Sequence, residues 1–237
     1  MGKALVLIPA YNEEENIRKV IKDLTDNAPD FDFLVINDCS KDDTLNICRT
    51  EGYPHLSMPV NSGIGTVVQT GYKYALKRGY KIAIQFDGDG QHDASYLDRL
   101  IEPIERGEAD FVIGSRFIEK EGFQTSRFRR IGINVFRALI HLLTGQSVTD
   151  ATSGFRAADR DAIEFLSEHY ATDYPEPESV VALIRNDFRL MDVPVVMRER
   201  LGGKSSINAP RSAYYMFKVI LAVIISRMKP KISRKDS

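Results

Sequence analysis

The sequence predicts an α/β fold in which a mostly parallel sheet carries helices on both faces. Short apolar runs alternate with segments of helical spacing along the first two thirds of the 237-residue chain. Polar clusters directly follow the apolar runs, and functional loops lie at that edge of a parallel sheet. The hydrophobic content of 43% is sufficient for one sizeable core.

The predicted strands are short apolar runs that end at a proline or a polar loop. The first run ends at Pro9, and a later run leads directly into Asp87. The predicted strands comprise residues 4–8, 33–36, 82–86, 111–113 and 190–196.

The predicted helices carry apolar residues three and four positions apart, which places those residues on one face. In the first of them, Ile17, Val20, Ile21 and Leu24 share a face. The predicted helices occupy residues 13–24, 42–48, 63–76, 95–104, 128–143 and 214–225. Residues 172–178 are interpreted as a proline-rich acidic loop, and residues 202–209 as a glycine-containing loop.

The charge distribution separates an acidic body from a basic tail. The net charge is −1, which argues against a nucleic-acid partner. Residues 227–237 nevertheless carry five basic residues and one acidic residue, which favours a local anionic partner. We expect an α/β domain, residues 1–210, and a membrane-associating C-terminal amphipathic helix with its basic tail, residues 211–237. The alternative for that helix is packing on the sheet or in an oligomer interface.

Two further observations bear on cellular location. The apolar run at 213–225 is about 13 residues long, which is too short to span a bilayer. The chain begins without a signal-peptide pattern, and its two cysteines are too few for a disulfide framework. We therefore expect a cytoplasmic protein that lies peripherally on the inner face of the cell membrane.

Asp87 and Asp89 are the strongest candidates for chemistry. They follow a predicted buried strand and are separated by Gly88, which permits a tight turn. Two carboxylates in this arrangement suit a hard divalent cation, which can bridge the phosphates of a nucleotide diphosphate. A solvated Asp-Gly turn is the alternative.

Glycines and cations mark two other regions. Gly63 and Gly65 open a predicted helix, and we expect that helix to begin in close packing against the sheet, near a phosphate. The segment 116–130 is rich in arginine, which suits phosphate groups or a membrane surface; a solvated helix face is the alternative. Arg198, Arg200 and Lys204 flank two glycines, and such a loop could close over a diphosphate.

Seven ordered segments resemble the family-2 glycosyltransferases with a GT-A fold, which is Rossmann-like. Within that family they resemble the branch of dolichol-phosphate mannosyltransferases and polyprenyl-phosphate glycosyltransferases. The segments are IPAYNEEENI, VINDCSKDDT, NSGIGTVVQTGYKYA, QFDGDGQHD, VIGSRF, DATSGFRAADR and RERLGGKSS, which span about residues 4–206. The second motif usually has glycine where Cys39 stands, and the third usually has lysine where Ile64 stands.

The resemblance implies a donor site for a nucleotide-diphosphate sugar. The residues that would hold its base and ribose are Pro9, Tyr11, Glu13 and Asp38. The residues that would bind Mn²⁺ or Mg²⁺ and the diphosphate are Asp87 and Asp89, with Gln91 as a further candidate ligand. The residues that would contact the donor phosphates from a loop are Arg200 and Lys204.

The resemblance also implies an acceptor site for a polyprenyl phosphate. The residues that would hold the lipid phosphate are Arg116, Arg129 and Arg130. The expected catalytic residues are Asp89, Arg116, Arg130 and Glu178. Family members with membrane domains carry spanning helices, so this chain resembles forms that dock on the membrane, with a small integral-membrane protein as a candidate partner.

The sequence therefore predicts inverting transfer of a hexose to polyprenyl phosphate for cell-envelope glycan assembly. UDP-glucose and UDP-N-acetylglucosamine are the favoured donors, and GDP-mannose is a further candidate. A phosphate acceptor needs no general base, whereas a saccharide hydroxyl acceptor would need a carboxylate such as Asp173, Glu176 or Glu178. That polysaccharide-forming reaction is the alternative, and a non-catalytic membrane adapter is a remote one.

Overall fold

The computed structural model describes residues 2–119, 121, 127–173 and 175–199, together with Lys218, Ile220, Leu221, Ile225 and Lys231. For residues 127–131 it describes the backbone alone. The predicted domain boundary at 210/211 and most of the C-terminal segment lie outside these residues.

A seven-stranded sheet forms the centre of the described part. Its strands are β1 Leu5–Ala10, β2 Asp32–Asn37, β3 His55–Ser57, β4 Ala83–Gln85, β5 Phe111–Ser115, β6 Arg156–Ala158 and β7 Leu190–Pro194. Their spatial order is β3-β2-β1-β4-β6-β5-β7. All neighbouring pairs are parallel except those made by β6, which runs antiparallel to both β4 and β5. The predicted α/β class with a mostly parallel sheet is confirmed.

Helices cover both faces of the sheet. They are α1 Ile17–Asn27, α2 Thr44–Thr50, α3 Ile64–Arg78, α4 Leu97–Glu105, α5 Arg127–Thr144, α6 Arg160–His169 and α7 Pro175–Arg185. Because successive side chains of a strand point to opposite faces, β1 contributes to two cores. Val6 and Ile8 pack on the side of α1 and α4, whereas Leu5 and Leu7 pack on the side of α3 and α6.

The structure corrects the interpretation of residues 172–178. Helix α7 already begins at Pro175, so only the start of that stretch connects two helices. Proline suits the first position of a helix because its missing N–H has no intrahelical partner there. Glu176 and Glu178 occupy the first turn, where carboxylates are favourable near the positive end of the helix dipole.

Three further observations concern the potential to span a membrane and the described C-terminal residues. None of the described helices has the length and apolarity that crossing a bilayer requires. Lys218, Ile220, Leu221 and Ile225 have helical conformation, and Leu221 and Ile225 are exposed. Lys231 forms an ion pair with Asp187 at the end of α7.

Cys39, which follows β2, adopts a left-handed conformation with φ of 57°. Glycine reaches this region at no steric cost, whereas a residue with a Cβ is strained there. This backbone requirement explains why glycine is the usual residue at this motif position.

Replacing Cys39 with glycine should therefore raise the free energy of unfolding by about 0.5–1 kcal/mol. This net gain arises because relief of the left-handed strain exceeds the cost of the greater conformational entropy that glycine gives the unfolded chain. Urea denaturation measures this difference. Cys39→Ala is the matched control, because it removes the thiol and keeps the strain. Equal stability of the two variants would contradict the strain argument.

Candidate active site

Four loops meet at one edge of the sheet. They follow β1, β2, β4 and β5, and all four strands end at that edge because they point in the same direction. The amide of Asp38 donates to the carbonyl of Ala10 at 2.9 Å, which joins the first two loops. A Cβ on Gly88 would lie 2.9 Å from the carbonyl oxygen of Pro9, so the loop after β4 touches the loop after β1. The sequence correctly predicted that these polar clusters converge.

The first two loops carry the residues predicted to hold a base and ribose. Tyr11 is 42% exposed, so its ring is accessible at the edge. Glu13 is buried, and its carboxylate accepts a hydrogen bond from the side-chain Nδ2 of Asn16 at 2.7 Å. The carboxylate of Asp38 accepts from the backbone amides of Ser62 and Gly63 at 2.7 and 3.0 Å. Asp38 thus ties the end of β2 to the start of α3.

Helix α3 begins in close packing with two parts of the structure. A Cβ on Gly65 would lie 2.2 Å from the carbonyl oxygen of Ala171, so the first turn packs on the connection between α6 and α7. Close contact with the sheet occurs two turns later, where Gly71 faces Leu7 and Ile36. The start of the helix also contacts the sheet, because Asp38 accepts from the amide of Gly63 and Val67 is buried in the same core as Leu7 and Ile36. The expected proximity of a phosphate to this helix start stays a prediction.

Asp87 is held from three directions. Its backbone amide donates to Nδ1 of His92 at 3.0 Å, and its Oδ1 accepts from Nε2 of Gln85 at 3.3 Å. A Cβ on Gly154 would lie 2.6 Å from Oδ2, so the loop before β6 reaches this carboxylate. Asp89 is also half-buried, and its Oδ1 accepts from the backbone amide of Gln91 at 3.1 Å.

His92 lies in the centre of the site as a neutral ring. The pKa of His92 is lowered to about 4, mainly by burial; the Asp89 and Asp150 carboxylates oppose this shift, and the Arg116 cation adds to it. The ring stacks on Phe155 with centroids 4.7 Å apart. Because Nδ1 accepts the Asp87 amide, the ring proton is on Nε2, which lies 3.7 Å from Oδ2 of Asp87. His92 therefore fixes the turn that carries both aspartates.

Arg116, a predicted phosphate ligand, forms a buried ion pair with Asp150. Its Nε and one terminal nitrogen donate to the two carboxylate oxygens at 2.7 and 2.8 Å. The same terminal nitrogen lies 3.3 Å from the hydroxyl of Thr152. Asp150 was not among the predicted site residues, and its place in the DATSGFR segment is its only sequence signal. This ion pair sets the direction of the guanidinium.

Arg156 fastens the start of α7 to the loop before β6. It is fully buried and donates to the carbonyl oxygens of Ala151 and Ser153 at 2.7 and 2.5 Å. One of its terminal nitrogens also donates to the carbonyl of Glu176 and the hydroxyl of Ser179. The turn that carries the half-buried Glu178 is therefore tied to the same edge.

Several predicted residues cannot be placed against this geometry. Arg129 and Arg130 lie in the first turn of α5, where only the backbone is described. Arg200 and Lys204 lie outside the described residues.

The site suits a divalent cation that takes part of its ligands from a bound substrate. Within the described residues, no three His, Cys, Asp or Glu side chains are grouped as a metal site. Asp87 and Asp89 supply the hard oxygen donors that Mg²⁺ and Mn²⁺ prefer. A cation bound here would need further oxygens, such as those of a diphosphate.

Comparison with known proteins decides the family. The model of glycosyl transferase family 2 matches residues 5–166, from β1 into α6. The chain belongs to glycosyl transferase family 2. This confirms the resemblance drawn from the motifs, and the protein is a glycosyltransferase.

Curated relatives of this family-2 glycosyltransferase extend over most of the chain. The polyprenol monophosphomannose synthase of Mycolicibacterium smegmatis is 28% identical over 92% of this chain and 85% of its own length. The undecaprenyl-phosphate mannosyltransferase of Micrococcus luteus is 30% identical, over 87% of this chain and 88% of its own. A UDP-N-acetylglucosamine–dolichyl-phosphate N-acetylglucosaminyltransferase of Methanococcus voltae is 29% identical, over 80% of this chain and 83% of its own length.

Solved structures confirm the GT-A fold of this family-2 glycosyltransferase. Glucosyl-3-phosphoglycerate synthase of Mycobacterium tuberculosis with phosphoglyceric acid aligns with a TM-score of 0.75 at 19% identity, over 96% of this chain and 81% of its own. The same enzyme with Mn²⁺, uridine diphosphate and phosphoglyceric acid aligns with a TM-score of 0.73 at 20% identity, over 97% of this chain and 80% of its own.

Replacing Asp150 with asparagine should lower the free energy of unfolding by about 3 kcal/mol, because it leaves the buried Arg116 cation without its carboxylate. Thermal and urea denaturation measure this loss. Asp26→Asn is the matched control, because it breaks an exposed ion pair with Lys22 and should leave the free energy of unfolding nearly unchanged. A loss at Asp150 as small as that of the control would show that the buried pair has little net effect.

Proposed function

We propose that this glycosyltransferase transfers a hexose from a nucleotide-diphosphate sugar to a polyprenyl phosphate, with inversion at the anomeric carbon. The observation that carries the proposal is the edge at which β4 and β5 end, where Asp87 and Asp89 follow one strand and Arg116, held by Asp150, follows the other. A carboxylate group for the donor and a cation for the acceptor thus share one edge of the sheet. The names of the relatives, which act on polyprenyl, undecaprenyl and dolichyl phosphates, support this acceptor class.

The donor would occupy the loops after β1, β2 and β4. Tyr11 would contact the base, and Pro9, Glu13 and Asp38 would line the nucleoside pocket. Asp87 and Asp89, with Gln91 beside them, would hold Mn²⁺ or Mg²⁺ and orient the diphosphate; Arg200 and Lys204 would contact its phosphates. A bound divalent cation supplies charge stabilisation for the departing diphosphate.

The acceptor phosphate is already anionic at neutral pH, so its attack on the anomeric carbon requires placement rather than proton removal. Cations supply that placement, because guanidinium groups match phosphate oxygens in geometry and charge. Arg116 is fixed in direction by Asp150. Arg129 and Arg130 would join it from the first turn of α5.

The membrane would supply the acceptor, and we place the enzyme peripherally on its cytoplasmic face. Leu142 on α5 is 81% exposed, and Val135, Leu221 and Ile225 are also exposed apolar side chains. The basic tail suits an anionic lipid surface, where each cation contributes about 1 kcal/mol. A small integral-membrane protein is a candidate partner.

A saccharide hydroxyl is the second candidate acceptor. Glu178 favours it, because this carboxylate lies in a helical turn that Arg156 fastens to the edge of the site. A hydroxyl acceptor would require such a carboxylate as general base.

We expect sugar transfer to the lipid in a donor and acceptor screen with Mn²⁺ or Mg²⁺. Radiolabelled UDP-glucose, UDP-N-acetylglucosamine and GDP-mannose would each be offered with polyprenyl phosphate or with an oligosaccharide. One label should move into the organic phase with the lipid, and its identity would name the sugar. Asp89→Asn should reduce the rate by about 100-fold or more, because it weakens the charge that holds the cation and diphosphate.

Asp98→Asn is the matched control, because Asp98 is exposed on α4 and pairs with Lys3 away from the site. It should retain wild-type activity. Label that moves only into the oligosaccharide would refute the lipid acceptor and favour the hydroxyl reaction.

Deletion of residues 211–237 should release the protein from vesicles that contain anionic lipid, because it removes the apolar segment and the five cations of the tail. Sedimentation with vesicles of phosphatidylglycerol and phosphatidylcholine measures this binding. Vesicles of phosphatidylcholine alone provide the control for charge. Unchanged sedimentation after the deletion would refute membrane anchoring by this segment.

A further inference from the structure

A buried chain of hydrogen bonds lies behind Asp87, on the face of the sheet covered by α3 and α6. Gln85 is the last residue of β4, and Tyr170 directly follows α6; both side chains are buried. The hydroxyl of Tyr170 donates to Oε1 of Gln85 at 3.1 Å. Nε2 of Gln85 then donates to Oδ1 of Asp87 at 3.3 Å. Tyr170 thus acts on Asp87 through the Gln85 amide.

Only one orientation of the Gln85 amide lets these hydrogen bonds end with a donor to an ionised Asp87. The two ends of a glutamine amide differ, since one only accepts hydrogen bonds and the other only donates them. If Tyr170 did not donate to Oε1, the amide could turn and present its oxygen to the carboxylate. Burial raises the pKa of Tyr170 well above its ordinary value, so the hydroxyl keeps its proton and remains a donor.

Gly154 closes the other side of the Asp87 carboxylate. A Cβ at this position would lie 2.6 Å from Oδ2 of Asp87 and 3.1 Å from Nε2 of Gln85. The loop that carries Gly154 is held by Arg156, which is the partner of Gln85 in the antiparallel pairing of β4 and β6. The carboxylate therefore has an amide donor on one side and closely packed backbone on the other.

We propose that Gln85 and Tyr170 are positioning residues for donor binding, which orient the Asp87 carboxylate toward the cation and diphosphate. This inference rests on the proposed donor site. Neither side chain would touch the donor, because both lie beneath the edge. Groups of this kind commonly change metal affinity by about 10- to 100-fold when they are removed.

Tyr170→Phe tests the proposal, since it removes one hydroxyl and keeps the ring. The measurement is the dissociation constant of Mn²⁺ in the presence of UDP or of GDP, from the electron paramagnetic resonance of unbound Mn²⁺. We expect binding about 10-fold weaker than in the wild-type protein. Gln85→Leu should weaken binding to a similar extent. The double variant should be no weaker than Gln85→Leu alone, because Tyr170 acts through Gln85.

Tyr72→Phe is the matched control. Tyr72 is fully buried and meets the Tyr170 ring edge-on at 5.5 Å, and its hydroxyl has no hydrogen-bond partner among the described residues. Loss of this hydroxyl should leave Mn²⁺ binding unchanged. Thermal denaturation of every variant separates a loss of binding from a loss of folding.

Three results would overturn the assignment, and a fourth would refute the proposed acceptor alone. Wild-type Mn²⁺ affinity in folded Tyr170→Phe would overturn it, and so would additive losses in the double variant. Absence of nucleotide-dependent Mn²⁺ binding in the wild-type protein would overturn it together with the proposed donor. Binding that depends on Gln85 and Tyr170 without sugar transfer to polyprenyl phosphate would uphold it and refute the acceptor alone.

Discussion

The reversed direction of β6 is the constraint on which the rest of the site depends. Since β6 runs antiparallel to β4 and β5, its first residue lies beside their carboxyl ends, and the loop before it reaches the same edge. That one loop brings Asp150 to Arg116 and Gly154 to Asp87, and it brings Phe155 to the ring of His92. A parallel β6 would place the same loop at the opposite edge, away from the aspartates.

The charges beneath this edge are fixed before any substrate binds. Arg116 and Asp150 form a paired, buried unit, while Arg156 is satisfied by carbonyl and hydroxyl oxygens. Removing two charges from water is costly, and a buried pair repays that cost only when its geometry is good. In the proposed reaction the benefit would be preorganisation, since dipoles and charges that are already aimed need no rearrangement during the reaction. The neutral His92 contributes in the same way, as a fixed acceptor for the turn that carries Asp87 and Asp89.

Sequence patterns identified the residues whose position follows from a nearby strand end. Asp38, Asp87 and Arg116 each lie within three residues of the end of an apolar run, so a parallel sheet alone predicts that they share an edge. Strand β6 was missed because its three residues, Arg-Ala-Ala, carry no strand signal and pair with strands distant in sequence. Tyr170 was missed for the same reason, since 85 positions separate it from Gln85 and no local pattern records that contact. Cys39 departs from the glycine that is usual in its motif, and the left-handed backbone explains why glycine is usual there.

In the proposed donor site, the cation and the nucleotide would bind as a coupled pair. Two carboxylates leave most positions of a six-coordinate ion to other ligands, and the described residues offer no third His, Cys, Asp or Glu. Phosphate oxygens of the donor would fill those positions, so each component would raise the affinity for the other by the same factor. Arg116, the proposed acceptor cation, is fixed separately, through Asp150 rather than through the aspartate turn. A change that disturbs only the Asp87 carboxylate should therefore act on the donor and its ion, whereas a change at Asp150 should act on the acceptor and on stability.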